Sequence, residues 1–215
     1  MPPFKNKSSF CKKTPVPLAA REVFDLRFLF RYNKQINAAR SFEESMEKTT
    51  LCYLEKDGQY LMLHRVKKEN DVNKDKWIGL GGHLEAGETP EMCLLREIRE
   101  ETGLTLTHWR FCGEVYFSCP PYPEECMYLF HADGFTGTLL DCDEGELAWL
   151  EKSRLKALPA WEGDFIFLEL MERHLPPFIL ILKYARDGKL LQAQLDDTPL
   201  PLPDWRSALP GTCRF

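Results

Sequence analysis

Three glutamates near the middle of the chain have the type and spacing to bind a metal ion. Glu97, Glu100 and Glu101 stand at positions i, i+3 and i+4, so in a helix their carboxylates share one face. Like charges in this arrangement repel one another. A hard divalent cation such as Mg²⁺ would offset the repulsion, because it takes oxygen ligands and completes its shell with waters and substrate phosphates. The alternative is a solvated acidic face that binds nothing.

The neighbouring residues predict the element that carries these carboxylates. We expect a helix over 90–102, because Thr89 is a suitable N-cap, Pro90 fits the first helical position and Gly103 supplies the stop. The other predicted elements are a hairpin of 49–55 and 59–66, strands at 109–119, 127–135 and 146–151, a helix over 165–174, and a closing hairpin of 178–185 and 189–194. Strands and helices mixed in this order predict a single α/β domain.

The spacing of the residues from 82 to 104 extends the pattern beyond the three carboxylates. The positions concerned are Gly82, Glu88, Arg96, Glu97, Ile98, Glu100, Glu101, Gly103 and Leu104. They match every fixed position of the Nudix box, and the sequence resembles a Nudix hydrolase on that ground. The resemblance implies an α/β/α sandwich with a mixed central sheet and the catalytic helix after a Gly-rich loop. It also implies cleavage of a diphosphate linkage in a nucleotide, with Mg²⁺ as cofactor and Mn²⁺ as the alternative ion.

The same resemblance implies roles for individual residues. Divalent ions held by the three helix glutamates would neutralise the phosphates and lower the pKa of a bound water. Either Glu101 or Glu97 would act as the general base, and the choice stays open. Arg96 would orient the carboxylates by pairing with Glu88. The carbonyl of Gly81 would be a further metal ligand, a role that needs no side chain.

A narrower resemblance, to MutT-like hydrolases of oxidised purine nucleoside triphosphates, covers nearly all of 47–196. It rests on Trp77 followed by the glycines of 79–82, and on a Trp-Glu-Gly-Asp segment before the last predicted helix. It implies hydrolysis of 8-oxo-dGTP to the monophosphate and pyrophosphate. The residues that it implies at the site are Glu144 as a further metal ligand, Trp161 stacked on the purine, Asp164 bonded to the purine edge, Phe117 in the same pocket, Arg65 near the phosphates or sugar, and Thr50 as a substrate contact.

Two departures from the narrower pattern keep other substrates open. Ile78 stands where several relatives have an Asn that contacts the purine, and Gly163 stands where some have a second acidic residue. Because buried polar contacts reject near-identical ligands, a preference for 8-oxoguanine is not secured. ADP-ribose or a dinucleoside polyphosphate is the alternative substrate, since Pro120 and Tyr122 lie near markers of those subgroups. The third alternative is a non-catalytic Nudix-like binding domain.

The charge distribution limits the class of partner. The formal net charge is −5, with nine basic and four acidic residues in 1–45 and 19 basic and 29 acidic residues in the remainder. An acidic body disfavours nucleic-acid polymers and anionic membranes. No apolar run approaches the roughly 20 residues that cross a bilayer. We therefore expect a nucleotide as partner, bound by a monomer or small homo-oligomer.

The two ends of the chain differ in composition from the region between them. We interpret 1–45 as a disordered leader or N-terminal extension, with Met46 as the initiator; a transit peptide is the other interpretation. We expect the hydrolase domain to span 46–196, and the Pro-rich tail at 197–215 to have no packed structure. The eight cysteines include no C-x-x-C pair, which favours a reducing compartment and a cytoplasmic protein.

Overall fold

The computed structural model describes residues 46–67 and 71–211, so the predicted leader lies outside the described residues. The strands are β1 (Glu47–Lys56), β2 (Gln59–His64), β3 (Trp77–Ile78), β4 (Thr105–Ser118), β5 (Glu125–Thr136), β6 (Glu146–Glu151), β7 (Phe178–Tyr184), β8 (Leu190–Leu195) and β9 (Thr198–Leu200). The helices are α1 (Pro90–Thr102) and α2 (Asp164–Glu172), with 3-10 turns at Lys152–Ala157 and Trp205–Ala208. Each predicted helix, strand and hairpin is present, with ends that differ by a few residues.

The strands form one mixed sheet, as predicted. Its order is β3-β2-β1-β5-β4-β7-β8-β9, and β6 pairs with β2 off this path. β1 runs parallel to β5, and β4 runs parallel to β7, whereas the hairpin partners are antiparallel. Parallel pairs need crossover connections, and the segments that contain α1 and α2 supply them.

Each face of the sheet buries one of the two helices. Leu94 and Ile98 of α1 pack against Leu54, Leu61 and Leu80 on one face. On the other face, apolar residues of α2 pack against side chains that include Tyr53, Val115, Leu129 and Leu180. Because successive residues of a strand point to opposite faces, β1 contributes to both cores. The predicted α/β/α sandwich is confirmed.

Helix α1 has the caps that its sequence predicts. The Thr89 hydroxyl accepts a hydrogen bond from the Met92 N–H at 3.2 Å, which satisfies one of the free donors of the first turn. At the other end Gly103 has φ 73°, a left-handed conformation, and its N–H donates to the Arg99 carbonyl at 2.9 Å. These two ends fix which residues of the box are helical.

The prediction of an unpacked C-terminal tail is wrong for residues 197–211. β9 pairs with β8, which adds an edge strand to the sheet, and Leu200, Trp205 and Leu209 are buried. Pro199 lies in β9, where an edge strand tolerates a residue that lacks an N–H donor. The prolines therefore shape a short edge and its turns, while the apolar residues between them anchor the segment to the core on the α2 side.

We expect Trp205→Ala to lower the free energy of unfolding by about 3–5 kcal/mol, because it removes a buried indole. Leu191→Ala is the matched control, since Leu191 lies in the adjacent strand β8 and is exposed; its effect should stay within about 0.5 kcal/mol. Urea unfolding, followed by far-ultraviolet circular dichroism, measures the free energy of unfolding of both variants. Equal stability of the two variants would show that the tail does not pack.

Candidate active site

The Gly-rich loop lies against the carboxylates of α1. The Gly81 N–H donates to the Glu101 carboxylate at 2.9 Å. Gly81 has φ 142°, and a Cβ there would collide with the Thr50 carbonyl. A Cβ on Gly82 would lie 2.5 Å from the carboxyl carbon of Glu97. Position 81 therefore needs glycine, whereas a side chain at position 82 would require the end of Glu97 to move. Both glutamates lie against the loop.

Glu101 is the most deeply buried of these carboxyl groups, at 6% exposure. Burial raises its pKa to about 8, against the opposing effect of the Gly81 N–H, and the nearby Glu144 and Glu97 raise it further. The charge of Arg65 acts in the opposite direction but does not offset these effects on Glu101. A divalent cation would supply further positive charge, and a set of oxygen donors suits Mg²⁺ or Mn²⁺. The residues present thus fit the predicted metal.

Arg96 lies at the centre of an ion-pair network on the same helix. Its guanidinium donates to both Glu88 oxygens at 2.9 Å, to Glu97 at 2.5 Å and to Glu100 at 3.1 Å. A further bond to the His83 carbonyl at 3.0 Å ties the helix to the loop. The Arg96 hydrogen bonds lower the pKa of Glu88 to about 2. The predicted pairing of Arg96 with Glu88 is confirmed, and Arg96 positions the carboxylates.

Arg65 and Glu144 lie together beside Glu101. Arg65 forms an ion pair with Glu144 and donates to Asp71 at 2.7 Å. The charge of Glu144 raises the pKa of Glu101, and the charge of Arg65 lowers it. Sequence reasoning named Arg65 and Glu144 but missed Asp71, which lies in a loop that showed only polar character.

The predicted aromatic residues come together on the other face of the sheet. The ring centroids of Trp161 and Phe117 lie 5.2 Å apart, and both rings contact the ring of Tyr184. Trp161 donates through its indole N–H to Asn73 at 2.7 Å, and the Lys76 ammonium lies 4.4 Å from its ring centroid. A base can therefore stack on that face of Trp161 only if Lys76 moves. Tyr184, Asn73 and Lys76 carried no sequence signal for this pocket.

Asp164 begins α2 next to this aromatic cluster. Its carboxyl is buried, and burial raises its pKa to about 8, while the backbone of Trp161 and the charge of Lys76 act in the opposite direction. Gly163 precedes it, and the Gly163 N–H donates to the Tyr184 hydroxyl at 2.8 Å. A Cβ on Gly163 would collide with that hydroxyl and with Leu182. A side chain at position 163 would therefore require Tyr184 and Leu182 to shift.

Thr50 and Ile78 lie away from the aromatic cluster. The Thr50 hydroxyl lies 3.4 Å from the Cys93 sulfur and accepts from the Gly82 N–H at 3.5 Å, so it faces α1 and the Gly-rich loop. Ile78 packs with the core on the α1 side. The structure therefore places Thr50 where it supports the loop, on the opposite face of β1 from Tyr53.

One group of ligand-type side chains in the described part of the chain was not predicted. Donor atoms of Glu47, His83 and Glu125 all lie within 4.8 Å of one another and could hold a metal ion. Strand pairing sets Glu47 opposite Glu125, and Thr49 bridges to His83. Residues this far apart in sequence gave no signal. The predicted glutamates of α1 do not reach this spacing in the described structure, where Arg96 engages Glu97.

The fold and the box together define the class of protein. The sequence pattern of the NUDIX domain matches residues 47–171, and the chain belongs to the Nudix family. It is accordingly a Nudix hydrolase that acts on diphosphate linkages in nucleotides.

Individual relatives have modest identity. An uncharacterized Nudix hydrolase of Bacillus subtilis, YvcI, is 28% identical over 156 residues, which cover 70% of this chain and 95% of that protein. An oxidized purine nucleoside triphosphate hydrolase of Danio rerio is 27% identical over 131 residues, or 60% and 83% of the two chains. The crystal structure of a MutT protein from Bacillus halodurans superposes with a TM-score of 0.59 at 28% identity, covering 70% of this chain and 98% of that one.

We expect Glu101→Gln to stabilise the metal-free protein at pH 8 by up to about 4 kcal/mol. The pKa of Glu101 is raised to about 8 in the folded protein. The free energy of unfolding of the wild type therefore falls as the pH rises from about 4.5 towards 8. Gln removes that loss. The same change should abolish the stabilisation that Mg²⁺ gives the wild type. Thermal and urea unfolding with and without Mg²⁺ measure both effects.

Glu91→Gln is the control, since Glu91 lies on the first turn of the same helix and is exposed. Its stability should change by about 0.5 kcal/mol or less, with the Mg²⁺ effect retained. A Glu101→Gln protein that keeps its full response to Mg²⁺ would contradict the metal assignment.

Proposed function

We propose that this protein hydrolyses an oxidised purine nucleoside triphosphate, 8-oxo-dGTP or a related nucleotide, to the monophosphate and pyrophosphate. The observation that carries the proposal is the buried Asp164 carboxyl beside the aromatic rings of Trp161 and Phe117, on a fold whose catalytic box is complete. Aromatic rings next to a buried carboxyl suit a planar base with a polar edge. The Danio rerio relative, by its name, acts on substrates of this class.

The metal would be held by Glu97, Glu100, Glu101 and Glu144 together with the Gly81 carbonyl. When bound, Mg²⁺ supplies charge that neutralises phosphates and lowers the pKa of a bound water. The chain's own residues then orient and deprotonate that water. Arg96 engages Glu97, whereas in the described part of the chain Glu101 accepts a hydrogen bond from the Gly81 N–H and none from an arginine, so we assign the general base to Glu101.

We expect Arg65 to bind the phosphates or the sugar. Its guanidinium is already ion-paired with Glu144 and Asp71, which restricts its position. A guanidinium held in this way can turn free N–H groups to phosphate oxygens without a large loss of side-chain entropy.

Other properties of the protein follow as expectations from the same reasoning. We expect a cytoplasmic monomer or small homo-oligomer that binds a nucleotide and no nucleic-acid polymer. In the described residues no helix is both long and apolar enough to cross a membrane. Tyr122, which kept ADP-ribose and dinucleoside polyphosphates open, is exposed in the turn between β4 and β5.

A substrate panel tests the proposal. With Mg²⁺ we expect kcat/KM for 8-oxo-dGTP to exceed that for dGTP, ADP-ribose and diadenosine polyphosphates by at least about 10-fold, because a pocket with buried polar groups rejects ligands that cannot satisfy them. Product analysis by ion-exchange chromatography gives the rates. Faster cleavage of ADP-ribose or of a diadenosine polyphosphate would contradict the proposal and identify that nucleotide as the better substrate.

Glu101→Gln serves as the catalytic control for this panel. It should reduce turnover of the best substrate at least about 100-fold with the fold intact by circular dichroism. Absence of turnover of every substrate by the wild-type protein would instead favour a binding domain.

A further inference from the structure

Two buried side-chain polar atoms of the described residues have no hydrogen-bond partner. They are the hydroxyls of Thr49 and Tyr53. Thr49 and Tyr53 lie four residues apart on β1. Because alternate residues of a strand point to the same face, both side chains lie on the face of the sheet that packs against α2. A buried hydroxyl without a partner costs stability, and each one in a native protein calls for an explanation.

Tyr53 is the more deeply buried of the two, with no exposed surface. The Gly79 amide is near enough to its oxygen to lower the phenol pKa, whereas burial and the nearby Asp164 raise that pKa strongly. A phenol both donates and accepts, so an approaching N–H leaves the hydroxyl hydrogen without an acceptor. Tyr53 therefore has an unused donor next to a buried carboxyl.

Tyr53 and Asp164 both line one narrow cavity, whose wall is almost entirely apolar. Trp77 also lines it, and its other lining residues are apolar: Met62, Leu155, Leu158, Ala160, Phe165 and Leu168. The space now available is about 10 Å³, room for roughly one water molecule. A ring enters only if lining side chains move, and the unbranched Met62 is suited to such movement.

The neighbouring tyrosine shows that the fold can satisfy a phenol at this depth. The Tyr60 ring lies 5.5 Å from the Tyr53 ring in an edge-on arrangement. Its hydroxyl donates to Glu172 at 2.6 Å. The unused donor of Tyr53 is thus a local feature of the cavity.

We propose that Tyr53 is a specificity-determining residue, whose hydroxyl donates a hydrogen bond to an acceptor on the ring edge of the bound purine, beside the Asp164 carboxyl. The inference rests on the proposed function, because it takes the ligand to be a purine nucleotide. Ile78 packs on the α1 side of the sheet and offers no polar atom to the purine, whereas Tyr53 lies on the α2 side. The unfilled donor destabilises the free protein, and the substrate satisfies it.

Tyr53→Phe tests this inference because it removes only the hydroxyl. We expect the variant to melt about 2–6 °C higher than the wild type, since an unsatisfied buried group is gone. We also expect its kcat/KM for the preferred purine nucleoside triphosphate to fall about 10-fold, with kcat/KM for dTTP unchanged within about 2-fold.

Tyr60→Phe is the matched control. It loses a hydrogen bond that is already made, so its melting temperature should fall while its ratio of purine to dTTP hydrolysis stays at the wild-type value. A Tyr53→Phe protein that melts lower than the wild type would show a structural partner for the hydroxyl. An unchanged ratio would show that the hydroxyl does not contact the base. Either result overturns the inference.

Failure of the proposed function gives a different result. In that case the wild type prefers another purine nucleotide, such as ADP-ribose, and Tyr53→Phe still lowers kcat/KM for that nucleotide selectively. If instead the wild type prefers 8-oxo-dGTP and Tyr53→Phe retains the full preference, the proposed function stands and the role of Tyr53 is refuted.

Discussion

The site depends on one contact, the hydrogen bond from the Gly81 N–H to the buried carboxyl of Glu101. It joins the Gly-rich loop to α1 at the point where the box glutamates face the loop. The loop in turn is fixed to β1, because Cys52 and Leu80 exchange backbone hydrogen bonds of 2.6 and 2.9 Å and Thr50 bonds to Gly82 at 2.8 Å. Strand, loop and helix therefore form one rigid unit, and a side chain at Gly81 would break it.

Electrostatics explains why this unit suits a cation and an anionic substrate. Burial and neighbouring carboxylates disfavour the charged form of Glu101, while Arg96 offsets the charge of Glu88, Glu97 and Glu100. The network leaves Glu101 and Glu144 with Arg65 as their nearby cationic group. A divalent ion adds the missing positive charge, and the acidic body can then bind phosphates that it would otherwise repel. The net charge of −5 is compatible with a nucleotide for this reason.

Much of this arrangement could be predicted from the sequence, because its determinants are local. The caps of α1 depend on Thr89 and Gly103, and the box spacing sets the carboxylate face. What could not be predicted depends on tertiary contacts. The burial of Trp205 depends on edge pairing with β8, and the position of Lys76 over the Trp161 ring depends on a polar loop. The crowding at Gly163 depends on Tyr184 across the core. The face to which Thr50 points depends on the register of β1.

The most direct test of the central claim is the identity of the bond that is cleaved. We predict that 8-oxo-dGTP, incubated with the protein and Mg²⁺ in ¹⁸O-labelled water, gives the monophosphate and pyrophosphate, and that one of these two products carries one labelled oxygen. Without a divalent ion we predict no reaction. ³¹P NMR resolves both products and the isotope shift. Release of orthophosphate, or cleavage that persists in the presence of a chelator, would contradict a metal site built on Glu101 and the Gly-rich loop.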